Sequence, residues 1–161
     1  MSNEKGIKEN QEFRLTNLLS FRGKMSAAEL QEISHRINTF IELGGYKKTG
    51  PTVSCTFSVE PQGSEQLIDM EILVPLDREF TPPEGCTRKP EFLLTNAVTI
   101  RHIGNPAGLQ ETAEQLVAYI QSRELTPVTA GYNVAVQDAK TPLEIDNMIV
   151  DIYLGINPNI L

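Results

Sequence analysis

The sequence predicts an α+β fold built by internal duplication of a βαββ unit, with about six strands in one antiparallel sheet and two helices on one face. Segment 13–22 reads FRLTNLLSFR and segment 92–101 reads FLLTNAVTIR, and nine of the twenty positions in 13–32 match those in 92–111. Unrelated segments would match at about one or two positions, so a duplication explains the pattern best. Each copy is followed by one amphipathic helical stretch and then by two apolar stretches typical of strands.

The first repeat follows a polar segment, residues 1–11, that we expect to be a flexible leader. Its first strand is predicted over 13–21, where apolar residues alternate with mostly polar neighbours. Ser26 is a suitable N-cap, and Glu29 completes a capping box. The helix then carries apolar residues at helical spacing, namely Leu30, Ile33, Ile37, Phe40 and Ile41, and is expected to end at two glycines, Gly44 and Gly45.

Two further strands are predicted over 52–59 and 67–76, with a turn at 61–64 between them. The first repeat therefore covers residues 12–76. A segment rich in proline, residues 77–91, is predicted to be the loop that connects the repeats. Residues 12–161 are expected to form a single domain.

The second repeat, residues 92–156, is predicted to have the same order. A strand over 92–102 precedes Asn105 and Pro106, which suit an N-cap and the first position of a helix. The buried stripe of this helix is predicted to consist of Leu109, Ala113, Leu116, Val117 and Ile120. Strands over 127–137 and 148–156 follow, with a turn at 138–146.

The composition excludes several functions. A net charge of −7 and a pI of about 4.9 argue against general binding to nucleic acid or to anionic membranes, because both need a basic surface. Cys55 and Cys86 are far apart and are expected to be free thiols. With no signal peptide or long apolar span in the sequence, we expect a cytoplasmic protein. No phosphate-binding loop and no metal-ligand spacing is visible, so no cofactor is predicted.

Three features together resemble the GyrI-like domain, the effector-binding fold of multidrug-responsive bacterial transcription regulators and of stand-alone proteins. They are the doubled βαββ order, the junction HIGNP at 102–106, and the closing strand EILVP at 71–75. The resemblance covers about residues 12–156. It implies a groove between the two repeats that binds small, often aromatic or cationic molecules. Since no room remains for a helix-turn-helix domain, we expect a stand-alone member.

The resemblance also implies a ligand-contacting position. In the family, the strand after the second helix often carries a glutamate in a Y/W-E-x-Y-like pattern, and this carboxylate meets cationic drugs. The corresponding stretch here is GYNVA at 131–135, which puts Asn133 at the glutamate position. A neutral amide cannot neutralise a buried cation, and an uncompensated buried charge costs several kcal/mol. The expected ligand is therefore neutral or polar.

Six residues are candidates for ligand binding: Tyr132, Asn133, Tyr153, Glu71, Asp151 and His102. Tyr132 and Tyr153 lie on strands predicted to be neighbours and could form an aromatic wall, or could pack against a helix. Glu71 and Asp151 occupy equivalent positions of the predicted repeats. They could meet and hold a cation or act in acid–base chemistry, or both could face solvent. His102 could act as a general base or could fix the local turn.

The sequence favours a small-molecule binding protein that acts as a sensor or by sequestration. The alternative is a protein-interaction module, similar to the gyrase inhibitors or to accessory proteins of this fold, with its acidic surface or segment 77–91 as the contact. Weak hydrolytic activity, which the resemblance implies for proteins with a glutamate and a tyrosine, is disfavoured by Asn133. The sequence thus favours binding over catalysis.

Overall fold

The computed structural model describes residues 6–137 and 142–158. The chain divides into two compact units. We call Leu15–Phe92 the central unit, and Met1–Arg14 with Leu93–Leu161 the terminal unit.

The described residues form an α+β structure with six strands and two α-helices. In chain order these are β1 (Lys8–Met25), α1 (Ala27–Gly44), β2 (Val53–Gln62), β3 (Glu65–Pro75), β4 (Cys86–Ile103), α2 (Leu109–Ser122), β5 (Pro127–Gln137) and β6 (Ile149–Ile156). Short 3-10 helices cover Pro106–Gly108 and Pro142–Asn147. No helix among the described residues combines the length and the apolar character needed to span a membrane.

In the central unit, β3 pairs with β1 on one side and with β2 on the other, both antiparallel. One face of this sheet carries Leu19, Ile72 and Val74, which form an apolar core with Ile37 of α1. Residues on the other face are also buried, including Leu18, Val53 and Leu73. The predicted caps of α1 are confirmed: Ser26 and Glu29 form the capping box, and Gly45 ends the helix with a φ of 66°.

In the terminal unit, β6 pairs with β4 and with β5, again antiparallel. Helix α2 packs on the face of this sheet that carries Ile100 and Ile152, and buries Leu116 and Ile120 against it. Asn105 and Pro106 were predicted to begin α2, but they begin the short 3-10 helix that precedes it, where the Asn105 side chain accepts a hydrogen bond from the backbone of Ala107. Both units thus share one order of elements and one order of pairing. The duplication itself stays a prediction.

Two strands extend beyond their predicted bounds. β1 begins at Lys8, so residues 8–11 of the expected leader belong to a strand. The Tyr119 hydroxyl donates a hydrogen bond to the Glu9 carboxylate and ties this part of β1 to α2. β4 begins at Cys86, so residues 86–91 of the expected connecting loop are strand. In both places the segment is ordered by contacts with residues distant in sequence, which local periodicity does not reveal.

Two smaller differences concern the second repeat. Val117 was expected in the buried stripe of α2, but it is 45% exposed, because it lies one position beyond Leu116 on the helix. The predicted turn at 138–146 includes residues 138–141, which lie outside the described residues, while 142–147 form a 3-10 helix.

Candidate functional site

The structure places five of the six predicted site residues in the terminal unit and one, Glu71, in the central unit. Tyr132 and Tyr153 are directly opposite each other on β5 and β6. Residues opposite each other in an antiparallel pair project to the same face of the sheet. That face is the one turned away from α2, because the neighbouring Ile152 packs in the α2 core.

A third aromatic ring joins this pair. The ring of Phe13 lies against the ring of Tyr153, with centroids 4.8 Å apart and planes tilted by 34°. All three side chains are half-buried. We call Phe13, Tyr132 and Tyr153 the aromatic surface. Phe13 was predicted only as a strand residue, because its ring contact depends on a residue 140 positions away in the chain.

The surroundings of Tyr153 shift the pKa of its hydroxyl. Partial burial raises the pKa of its hydroxyl above the ordinary value, and the negative charge of Asp151 acts in the same direction. The hydroxyl therefore stays protonated near neutral pH, where it can donate a hydrogen bond as well as accept one.

Asp151 shares the face of Tyr153, two residues earlier on β6. Its carboxylate accepts two hydrogen bonds from Arg101, from Nε at 2.8 Å and from an Nη at 2.9 Å. This bidentate pair raises the pKa of Arg101. The carboxylate is therefore already neutralised by a fixed cation of the same unit.

Asn133 is not on the aromatic surface. It lies opposite Ile152, so it shares the face that α2 covers, while Tyr132 and Val134 project to the other side. Successive residues of a strand project to opposite faces of the sheet unless a β-bulge lies between them. The register shifts of β5 lie before Gly131 and after Ala135, so none separates Tyr132 from Asn133.

His102 links the end of β4 to the start of α2. Its Nε2 lies 2.9 Å from the backbone carbonyl oxygen of Asn105, and its Nδ1 lies 2.7 Å from the hydroxyl of Thr112. Since a carbonyl can only accept, Nε2 must carry the proton, and in the neutral ring Nδ1 accepts from Thr112. Both ring nitrogens are thus occupied by contacts that hold the strand–helix junction.

Glu71 is 7% exposed and lies among polar partners of the central unit. Its carboxylate accepts hydrogen bonds from the Ser20 hydroxyl at 2.9 Å and from the Lys89 ammonium at 2.5 Å. Cys55 is its neighbour across β2 and β3. Burial raises the pKa of the Cys55 thiol to about 11, and the charge of Glu71 contributes to the same shift.

One expectation was that Glu71 faces solvent. The structure buries it instead. Lys89, its partner, lies in the segment that was predicted to be a loop. Arg22 is opposite Glu71 in register but pairs with Asp69 instead, at 3.2 Å, and its guanidinium lies 3.7 Å from the centroid of the Phe57 ring. The two units thus neutralise these carboxylates through different cations, Lys89 for Glu71 and Arg101 for Asp151.

Within the described residues, no group of three or more His, Cys, Asp or Glu side chains could hold a metal ion. Both thiols are free. The groove that the sequence predicts between the repeats stays a prediction.

No protein-family model matches the sequence, and no curated protein sequence matches it. Solved structures do match the fold. The chain is similar to the crystal structure of the EcmrR C-terminal domain, with a TM-score of 0.71 and 13% identity over 94% of this chain and 95% of that domain. It also matches EcmrR in a complex with DNA, with a TM-score of 0.74, but spans only 56% of that chain.

Two further similar structures come from other proteins. One is a hydrolase from Listeria innocua, with a TM-score of 0.55 and 12% identity over 92% of this chain and 93% of that one. The other is SAV2435 bound to tetraphenylphosphonium, with a TM-score of 0.51 and 11% identity over 94% of each chain. At these identities the likeness is one of fold. The chain therefore shares its fold with the EcmrR C-terminal domain and with SAV2435.

Proposed function

We propose that this chain is a GyrI-like effector-binding protein whose aromatic surface binds a small neutral or polar aromatic molecule. The observation that carries the proposal is the juxtaposition of Phe13, Tyr132 and Tyr153 on one face of the terminal unit. Aromatic side chains offer a flat apolar contact area, and the tyrosine hydroxyls add the polar groups that orient a ligand. Binding of tetraphenylphosphonium by SAV2435, which has a similar fold, supports small-molecule binding as the function class.

The preference for a neutral ligand rests on the charges beside the aromatic surface. The only carboxylate that we assign to it among the described residues, Asp151, is held by two hydrogen bonds from Arg101. A cationic ligand would have to displace the guanidinium before it could use this carboxylate. Such a ligand would also be repelled by the Arg101 guanidinium, so the pair offers it no free carboxylate.

The test is a thermal-shift screen with lipophilic cations, neutral aromatics and small acids. In the wild type we expect neutral aromatics to raise the Tm by about 5–10 °C at 100 times the Kd, because saturating ligand stabilises the folded state. Tyr153→Leu should reduce the shift, since it removes the ring that contacts Phe13. A shift as large in Tyr153→Leu as in the wild type, or the absence of any shift in the wild type, would contradict the proposal.

A charge variant tests the specificity. Arg101→Gln removes the cation that neutralises Asp151, so it should allow lipophilic cations such as tetraphenylphosphonium to raise the Tm. The matched control is Arg22→Gln, which breaks the ion pair with Asp69 in the central unit and should leave ligand preference unchanged. Equal responses of both variants to cations would indicate a general loss of positive charge and not a site at Asp151.

A further inference from the structure

A cavity of about 120 Å³ lies in the central unit, on the face of the sheet that α1 covers. Phe21 of β1 and Ile33 and Ile37 of α1 supply apolar walls. The segment 83–86, where β4 begins, supplies another wall, and Arg36 and Glu84 also line the cavity. None of these residues belongs to the aromatic surface.

The segment that forms this wall is fixed at both ends. Phe80 before it is 8% exposed and makes edge-to-face contacts with the rings of Phe40 and Tyr46. Cys86 after it packs against the same apolar core. Between them, the backbone N–H of Cys86 donates to the carbonyl of Pro83 at 3.0 Å, and Gly85 supplies the positive φ of 85° that this turn requires.

Because segment 83–86 is held at both ends, it does not collapse into the cavity. Pro82 and Pro83 restrict the backbone further, because each fixes its own φ. The Arg36 guanidinium donates to the backbone carbonyl of Glu84 at 3.3 Å and ties α1 to the turn. Since helix α1 and segment 83–86 are both held in place, the cavity between them is expected to persist in solution.

The residues that line the cavity determine the polarity and charge of the ligand that it can bind. Phe21, Ile33 and Ile37 offer only apolar contact. Cys86 adds a thiol that stays neutral, because partial burial raises its pKa. The two charged side chains in the lining, Arg36 and Glu84, have opposite signs and favour neither a cation nor an anion. An apolar cavity of about 150 Å³ in another protein accepts benzene, so this one matches a single ring in size.

We propose that this cavity is a second ligand site, which binds a neutral molecule the size of a single aromatic ring. The site is made by residues of the central unit alone. It does not depend on the aromatic surface being a binding site.

Phenol is the probe that we would use, with two readouts on the full chain. The first is methyl NMR, in which the signals of Ile33 and Ile37 should shift with saturation while those of Ile100 and Ile152 in the α2 core stay in place. The second is alkylation of Cys86, whose rate should fall about fivefold or more at saturating phenol, because a bound ligand shields the wall that it touches. Trypsin cleaves after Arg78 and therefore separates the Cys86 peptide from the Cys55 peptide.

Two variants show whether phenol binds in the cavity or on the aromatic surface. Ile33→Phe fills the cavity and should remove both the shifts and the protection, whereas Tyr153→Leu alters the aromatic surface and should leave both unchanged. Loss of binding in Tyr153→Leu but not in Ile33→Phe would overturn this proposal and support the first one. If Ile33→Phe does not fold, the wild-type NMR titration decides: no saturable shift at Ile33 and Ile37 overturns the proposal.

Discussion

Glu71 illustrates how one buried charge depends on its neighbours. Charged side chains are seldom fully buried, and burial without a partner costs several kcal/mol. Here the carboxylate receives one hydrogen bond from Ser20 and one from Lys89. The side chain of Lys89 is 44% exposed, so the ammonium keeps part of its hydration while it compensates the carboxylate. The ion pair therefore avoids most of the cost of burying two charges.

Replacement of Lys89 tests this dependence. Lys89→Met should lower the free energy of unfolding by about 1–3 kcal/mol, because Glu71 would stay buried without its cation. The matched control is Lys24→Met, since the Lys24–Glu60 pair at 3.3 Å is about half exposed on both sides. The control should change stability by about 0.5 kcal/mol or less. Urea denaturation of both variants measures the difference, and equal losses would contradict the role assigned to Lys89.

The buried thiol of Cys55 makes the free energy of unfolding depend on pH, and the raised pKa of the thiol gives the sign of this dependence. The folded-state pKa of about 11 lies above the ordinary thiol value of 9.0, so the folded protein holds this proton more tightly than the unfolded chain does. The stabilisation is fully present below about pH 9 and is lost as the pH rises towards 11. Cys55→Ala should therefore show a smaller loss of stability than the wild type between pH 9 and pH 11. Identical pH profiles of unfolding would show that the thiol is not buried as described.

At the scale of elements, local sequence signals were sufficient for the bounds of α1 but not for the starts of β1 and β4. The α1 cap depends on Ser26 and Glu29, three residues apart, and the structure confirms it. The starts of β1 and β4 depend on contacts such as Glu9 with Tyr119, which link residues far apart in the chain. A helix satisfies its backbone within four residues, whereas a strand needs a partner strand whose register the local sequence does not contain.

The capping box supplies the prediction at this scale. Ser26→Ala should lower the free energy of unfolding by about 1 kcal/mol, because the backbone N–H of Glu29 loses its acceptor at the N-terminus of α1. Ser26→Asp, which keeps an acceptor and adds a favourable charge near the helix N-terminus, should restore most of this loss. Thermal unfolding of the two variants measures both effects. A stability of Ser26→Asp no higher than that of Ser26→Ala would contradict the capping role.

For the molecule as a whole, each unit shows the same order of elements, and in each unit the third strand pairs with both of the other two. The net charge of −7 is a further property of the whole chain. EcmrR, whose fold is similar over part of its length, has a structure in complex with DNA. A shared fold does not transfer that property, because affinity for DNA depends mainly on cationic contacts with phosphates.

We therefore expect this chain not to bind duplex DNA at physiological salt. The net negative charge repels phosphates, and two of the described arginines, Arg22 and Arg101, are paired with carboxylates. Fluorescence anisotropy with a labelled duplex tests this, repeated at low salt where electrostatic binding is strongest. Binding that weakens steeply with added salt would contradict the expectation.

The sequence by itself determined the order of strands and helices and the caps of α1. These depend on periodicity and on neighbours within a few residues. It also selected Tyr132 and Tyr153 as partners on adjacent strands. Only the tertiary structure decided that Phe13 joins them, that Asn133 lies on the other face, and that Lys89 compensates Glu71. These contacts depend on strand register and on packing between segments distant in the chain, and neither is encoded in any single segment.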